Sequence, residues 1–194
     1  MNKEGPKPLI QVGGKTILER QIEYLSPHVG KIILSLGYRA EEIITYTKKK
    51  WANQNIEWVV EKHPAGTAGG LRLALGHAKE EMVLVLNADD ITDISIQELE
   101  KMRENTLCVS HPRLPFGLVK EKDGFAVFEE KPLLAQWVSC GWYVFIRQEL
   151  QSVLPEVGSL EYDVFPRMKF KVYYHTGSWQ TLNTPKDIAE FEEH

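Results

Sequence analysis

The chain predicts an α/β fold with a mostly parallel sheet, on three observations. Two apolar runs without alternation, KIILSL at 31–36 and MVLVL at 82–86, have the pattern of strands covered on both faces. Segments of helical period separate the strands, so that helix, strand, helix, strand, helix, strand succeed one another as far as Leu86, the order that crossover helices impose on a parallel sheet. The second run leads directly into Asn87, Asp89 and Asp90, which sets carboxylates at a strand's C-terminal edge, where open α/β sheets bind their ligands.

Taken in order, prolines and the Gly13-Gly14 pair keep the opening irregular until Thr16 caps a helix whose Ile17, Leu18, Ile22 and Leu25 share one face. A strand at 31–36, a helix over 38–50 that turns Ile43, Ile44 and Trp51 inward, and a strand at 56–60 follow; Lys48, Lys49 and Lys50 read as a solvated helix end. The glycine-rich AGTAGG at 65–70 reads as a ligand-facing turn, and Leu71, Leu73, Leu75 and Ala78 continue it as an apolar helical face. A glycine turn and acidic groups at one sheet edge point to a phosphorylated ligand with a divalent cation. Beyond Asp93 the pattern predicts a helix over 95–104, a strand at 106–110, and a β-hairpin of 117–119 with 125–128 through Asp123-Gly124. A strand over 137–146 interrupted at Gly141, a short helix from Ser159 to before Pro166, a strand at 172–175, a turn over 179–185 and a last helix packing Ile188 and Phe191 complete the chain.

With 194 residues, 43% of them hydrophobic, the chain needs no more than one core. A formal charge of −4 without a basic run or basic amphipathic helix argues against nucleic acid or an anionic membrane as partner. Cys108 and Cys140 lie in apolar surroundings and read as reduced core residues, which supports a cytoplasmic address. No apolar run approaches the length of a membrane span and no signal peptide is visible. The six histidines lack metal-ligand spacing, no G-x-S-x-G occurs, and Asn87-Ala88-Asp89-Asp90 supplies no D-x-D of the metal-dependent glycosyltransferase kind.

The segments KPLIQVGGKTILERQIEYL, HPAGTAGGLRLAL, LVLNADDITDI, FGLV, FEEKP, SLEYDVFP and WQTLNTPKD, in that order, closely resemble the sugar-1-phosphate nucleotidyltransferases, and among them the mannose- and heptose-1-phosphate guanylyltransferases. The resemblance implies a Rossmann-like αβα sandwich with a small β-hairpin subdomain, as a single nucleotidyltransferase-like domain over 1–194. It implies an enzyme that joins a sugar 1-phosphate to a nucleoside triphosphate and releases pyrophosphate, with Mg2+ as cofactor. Lys7 then matches the lysine that meets phosphate and Asp89 the carboxylate that holds the cation. Glu61, Gly66 and Thr67 fall on the nucleotide side, where a carboxylate, which only accepts hydrogen bonds, suits the adjacent donors of guanine and favours GTP. Gly117, Glu130, Lys131 and Ser139 fall on the sugar-phosphate pocket.

Three departures from that pattern stand out. The family's first strand and its Gly-rich, Arg-containing loop, about 20 residues whose N–H groups cradle the triphosphate, have no counterpart ahead of Met1. That strand would lie centrally between 31–36 and 82–86, so either those two strands close up, another segment fills the gap, or the true start lies upstream with the loop. Thr181 stands where the second metal carboxylate is usual, and Ser139 where the sugar pocket carries asparagine. The losses at the metal and triphosphate sites are what an alternative reading would show, a catalytically impaired nucleotide-sugar-binding homologue with a sensor or regulatory role, and they equally fit a truncated reading frame with a tolerated substitution. The sequence leaves oligomeric state open, a homo-oligomer included.

Overall fold

A computed structural model describes residues 5–192; residues 1–4 of the expected opening loop, and His194, lie outside them. After a short 3-10 turn at Lys7–Leu9, β1 (Gln11–Val12) and β2 (Lys15–Thr16) pair across Gly13 and Gly14, whose φ angles are +55° and +78°. The opening is therefore a tight ribbon and not the irregular loop expected, because two left-handed glycines are what a two-residue hairpin turn requires. Thr16 caps α1 (Ile17–Leu25) as predicted. Its Oγ1 accepts the Glu19 N–H at 3.1 Å, and the Glu19 carboxylate accepts the Thr16 N–H at 2.8 Å, a reciprocal capping box.

Burial pushes the Glu19 carboxyl up, but hydrogen bonds from the Lys50 ammonium, the Tyr46 hydroxyl and the Thr16 N–H outweigh it and hold the group below its ordinary 4.5. Lys50 is thus engaged with α1, and Lys48 lies over the Trp58 ring at 5.4 Å, so the lysine triplet is not simply solvated. Replacing Glu19 with alanine is expected to cost about 2 kcal/mol near neutral pH, from the lost cap and the unpartnered groups. A lowered folded-state pKa contributes stability above the unfolded value that is lost as pH falls. The deficit, read by urea unfolding, should therefore shrink below pH 4.5.

The alternation predicted next is observed: β3 (Ile32–Leu36), α2 (Ala40–Lys50), β4 (Ile56–Val60), α3 (Gly66–Leu75) and β5 (Met82–Leu86). After them come β6 (Asp90–Thr92), α4 (Ile96–Leu99), β7 (Thr106–Ser110), β8 (Leu118–Lys122), β9 (Phe125–Glu129) and β10 (Val138–Ile146). Then follow α5 (Arg147–Val153), a π-helical turn at Leu160–Val164, β11 (Lys171–Tyr174), β12 (Trp179–Thr181) and α6 (Pro185–Glu192).

β11, β7, β10 and β5 lie side by side, with β10 antiparallel to both of its neighbours and β11 parallel to β7. β3 pairs in parallel with β4. The Lys31 ammonium at the start of β3 donates to the His77 carbonyl at 3.2 Å, just past the end of α3, whose following chain enters β5. β3 and β5 therefore begin at the same end of the molecule and run the same way, and β10 alone among these strands is reversed. Alternation along β5 and β10 divides the core into two layers. Leu84, Leu86, Trp142 and Val144 meet Leu25, Ile96 and Leu99 on one face. Val83, Val85, Tyr143 and Phe145 meet Ala68, Leu75, Leu150 and Val164 on the other. Helices thus cover both faces of a central sheet, the layered α/β arrangement expected.

Four details differ from the sequence reading. The helix expected over 95–104 stops at Leu99, since EKMREN offers it only Met102 to bury. Residues 179–181, expected as turn, pair with β6. Leu73 is exposed, and α3 packs through Ala68, Ala74 and Leu75 instead. The runs at 31–36 and 82–86 are largely half-buried where full burial was expected: β3 and β5 neither close up nor receive another described segment between them. The Asp123-Gly124 hairpin forms as predicted, both residues at positive φ. Cys108 and Cys140 are free and buried, and burial raises both thiols, that of Cys140 to about 11, so neither is poised to react.

Candidate active site

At the C-terminal end of β5 the backbone is fixed by the Asn87 N–H donating to the Gly141 carbonyl at 2.9 Å, and Asp89 follows on the turn into β6. The Asp89 carbonyl accepts the Leu182 N–H at 2.9 Å, which brings the chain after β12 against the same turn. Lys7 arrives from the opening 3-10 turn. Its ammonium donates to the Asp89 carboxylate and, at 2.6 Å, to Asn183 Oδ1. Asn183 Nδ2 in turn donates to Thr181 Oγ1 at 2.8 Å. Three distant stretches thus place Lys7, Asp89, Thr181 and Asn183 in one partly exposed polar cluster. The Asn183 and Thr184 N–H groups are held by the Asp187 carboxylate at 2.9 and 2.7 Å, so the loop carrying Asn183 is anchored to α6. Sequence reasoning passed over Asn183; its signal was a polar side chain two residues past Thr181.

Asp90 has a different part. It is buried, and its carboxylate accepts from Asn87 Nδ2 at 3.0 Å and Trp179 Nε1 at 3.1 Å, with the Thr181 hydroxyl facing it across the β6–β12 pair. Burial pushes its carboxyl up. A raised folded-state pKa gives stability that is full below the unfolded carboxylate value and is lost as pH rises toward the folded one. Asp90→Asn should accordingly flatten the fall in stability as pH rises through the carboxylate range, a difference visible in melting curves from pH 3 to 7, about the span over which carboxylates titrate.

On the opposite side of the sheet edge, Glu61 turns back onto its own loop, its carboxylate accepting the Ala65 N–H at 3.0 Å. Gly66, at φ +73°, lies so close to the Gly158 carbonyl that a Cβ would sit 2.3 Å from it. Thr67 Oγ1 accepts the Leu160 N–H at 2.9 Å. The glycines at 66, 69 and 70 therefore lie within α3, not in the turn expected, and pack on the chain's own 156–158 segment and on Glu61. Glu61, Gly66 and Thr67 line, with Pro8, Asn87 and Ala88, one cavity of about 590 Å³.

Of the remaining candidates, Gly117, Glu130 and Lys131 flank the β8–β9 hairpin and Ser139 lies in β10. Gly117 leaves room for the Phe128 ring and has the Glu130 carboxylate beside it. Lys131, at positive φ, pairs with Glu190 of α6, the helix that anchors the Asn183 loop, and its carbonyl accepts from Arg113 at 3.0 Å. Ser139 Oγ is 3.0 Å from the Tyr143 hydroxyl, just ahead of the Gly141 bulge in β10.

Among the described residues no three His, Cys, Asp or Glu side chains are grouped to hold a metal. The Lys7 cluster does offer one carboxylate, an amide oxygen and a hydroxyl, an all-oxygen set fitting a hard cation that keeps waters and takes its remaining ligands from phosphate. Among the described residues no helix is long and apolar enough to cross a membrane.

Residues 1–115 match the MobA-like NTP transferase domain. The chain is 32% identical to the mannose-1-phosphate guanylyltransferase catalytic subunit beta of Drosophila pseudoobscura pseudoobscura, over 94% of its own length and 55% of the relative's. It thus spans little more than half of that protein. It is 30% identical to the D-glycero-alpha-D-manno-heptose 1-phosphate guanylyltransferase of Campylobacter jejuni, over 97% and 90% of the two chains. In structure it is similar to HddC from Yersinia pseudotuberculosis complexed with GMP-PN, with a TM-score of 0.80 at 23% identity, over all of this chain and 91% of that one.

Proposed function

Given that this chain belongs to the MobA-like NTP transferase family, we propose that it transfers a nucleotidyl group, GTP favoured, to a sugar 1-phosphate in the cytoplasm. The observation carrying this reading is the meeting of Lys7 and Asp89, 82 positions apart in sequence, at the C-terminal edge of β5. In the reaction an oxygen of the sugar phosphate attacks the α-phosphorus of the triphosphate, the bond to the bridging oxygen breaks, and pyrophosphate leaves with its electron pair. Two anions must approach, so charge neutralisation and alignment are the chief tasks. Lys7 supplies a mobile positive charge: its ammonium exchanges the Asp89 carboxylate for a phosphate oxygen when substrate enters. Asp89, thereby released, with Asn183 Oδ1 and Thr181 Oγ1 beside it, would hold Mg2+, which when bound neutralises charge on the phosphates. Glu61, Gly66 and Thr67 face the base side, and Gly117, Glu130, Lys131 and Ser139 the sugar phosphate.

Pyrophosphate release from GTP with mannose 1-phosphate or a heptose 1-phosphate, in the presence of Mg2+, tests the reading. Release above a protein-free control is the expected result; silence across a sugar 1-phosphate and triphosphate panel with folded protein refutes it. The neutral Thr181 favours a second reading, binding of a nucleotide sugar without turnover. Calorimetric binding of GDP-mannose with no pyrophosphate release would select it.

A further inference from the structure

The β8–β9 hairpin carries an apolar surface that its own chain leaves uncovered. Among the described residues the two strands pair only with each other, and every residue of β9 is exposed. Phe125 is 77% exposed and Phe128 64%, with exposed Val119 and Val127 in the same ribbon. At about 200 Å² for an aromatic side chain, these four present roughly 400 Å² of apolar surface, as much as the largest patch on an ordinary monomer. A two-stranded ribbon is also marginal when nothing packs on it. Its two edges differ. β8 reads LVKEK, and its lysines blunt that edge, whereas β9 reads FAVFE, with neither lysine nor proline. Backbone direction along β9 follows from the turn. Asp123 and Gly124, both at positive φ, form a two-residue loop, so Lys122 and Phe125 exchange both peptide hydrogen bonds. Phe125, Val127 and Glu129 then face β8, while Ala126 and Phe128 turn their N–H and C=O groups outward.

We propose that β9 pairs with the β9 strand of a second copy of this chain, antiparallel about a two-fold axis at Val127, giving a four-stranded sheet with a β8 strand at each edge. In that register Ala126 and the partner's Phe128 exchange both hydrogen bonds, and so do Phe128 and the partner's Ala126, which satisfies the outward groups of both residues. Each Phe128 ring lies beside an alanine methyl, a large side chain against a small one. Val127 meets its own counterpart at the closer, non-hydrogen-bonded spacing, with Phe125 next to it on the same face. Glu129, which accepts from Lys120 of its own hairpin at 3.4 Å, comes opposite the partner's Phe125 and next to the partner's Lys122, so unlike charges flank the apolar centre. The same operation on β8 would set Lys120 directly against Lys120, a like-charge pair that disfavours it. Pairing β9 with a partner's β8 would leave edges free and continue without end, whereas the two-fold arrangement closes. With no more than about 400 Å² of apolar surface from each copy, the interface falls at the low end of specific ones, and the dimer is a micromolar one. β9 leads directly into Glu130 and Lys131, and Phe128 occupies the space that Gly117 leaves, so the pairing would steady the side of the site proposed for the sugar phosphate. The inference stands on strand pairing and does not need the transferase reading.

The test is sedimentation of the full 194-residue chain, over protein concentrations from about 1 to 500 µM, the range a small interface spans. A monomer–dimer equilibrium is the expected result. Val127→Glu sets a carboxylate beside Lys120 within its own hairpin and against a second carboxylate across the two-fold. It should keep the parent's melting curve and weaken dimerisation at least about tenfold. Mixing Val127→Glu with Val127→Lys chains should restore association as a heterodimer. Val127→Cys should cross-link to itself on mild oxidation, because the close pair brings two β-carbons within disulfide reach, and Lys120→Cys should not. Cys108 and Cys140 are buried and do not compete. A dimer that Val127→Glu leaves intact, no restoration in the charge-reversed mixture, or faster cross-linking at 120 than at 127 would each overturn the proposal. A chain monomeric throughout would overturn it too, and would leave the β9 edge to a strand of another protein. Because the readout is mass, failure of the nucleotidyl-transfer assay leaves this result unaffected.

Discussion

On the proposed reaction, Asp89→Asn is expected to lower pyrophosphate release by about a hundred- to a thousand-fold, the scale set when one preorganised electrostatic group is removed from an active site. The substitution keeps the side chain's size and leaves Lys7 its other acceptor, Asn183 Oδ1 at 2.6 Å. Stability should scarcely change, because the Lys7–Asp89 pair is partly exposed and solvent screens it. A fall in rate with an unchanged melting curve separates a working carboxylate from a surface ion pair. Lys7→Met should produce a comparable fall. The double variant should be little worse than either single one, since the two charges act on the same phosphates and losses within one unit do not add. Raising Mg2+ should fail to restore Asp89→Asn, whose amide offers a neutral oxygen where the cation needs a charge. Full activity in Asp89→Asn, with the Mg2+ dependence of the parent chain, would remove Asp89 from the site and with it the proposed reaction.

What the sequence disclosed and what it concealed follow a physical division. Period and punctuation are local, so the Thr16 cap, the Asp123-Gly124 turn and the strand-helix alternation from 31 to 86 could be read from neighbours alone. The side chains nearest Asp89 depend on contacts made across the fold. Asn183 meets Lys7 across 176 positions, and Trp179–Thr181 becomes a strand only because β6 is there to pair with it. An apolar run likewise states what a strand could bury, not how far it is buried. Met82–Leu86 has a central strand's composition and an edge strand's exposure. The glycines at 66–70 lie in a helix and not in the turn expected for a related reason. A residue without Cβ marks a close approach, and here the approaching group is the chain's own 156–158 backbone.

Gly141→Ala should be among the most damaging single-methyl changes in the protein, and the reason ties the fold to the site. Gly141 holds φ +76° at the bulge in β10, between the pairing of Ser139 with Val109 and of Tyr143 with Leu107. A β-carbon there would sit 2.0 Å from Asp90 Oδ2 and 2.7 Å from Asn87 Nδ2. Left-handed backbone costs an alanine about 1–2 kcal/mol, and overfilling a packed position adds about 1–3 kcal/mol. Neither the Asp90 carboxylate nor the Asn87 amide can simply swing away. Asp90 is buried among Asn87, Trp179 and Thr181, and the Asn87 N–H depends on the Gly141 carbonyl. The expected loss is about 2–5 kcal/mol by urea unfolding. Activity should fall further than unfolding explains, because Asp89 is carried on the turn between Asn87 and Asp90. Asp90→Asn, by contrast, leaves this backbone in place, so comparing the two at a temperature where both remain folded separates displacement of the turn from loss of a buried charge. If Gly141→Ala kept both stability and rate, the bulge would be a passive irregularity and the position of Asp89 would have to be set by something other than β10.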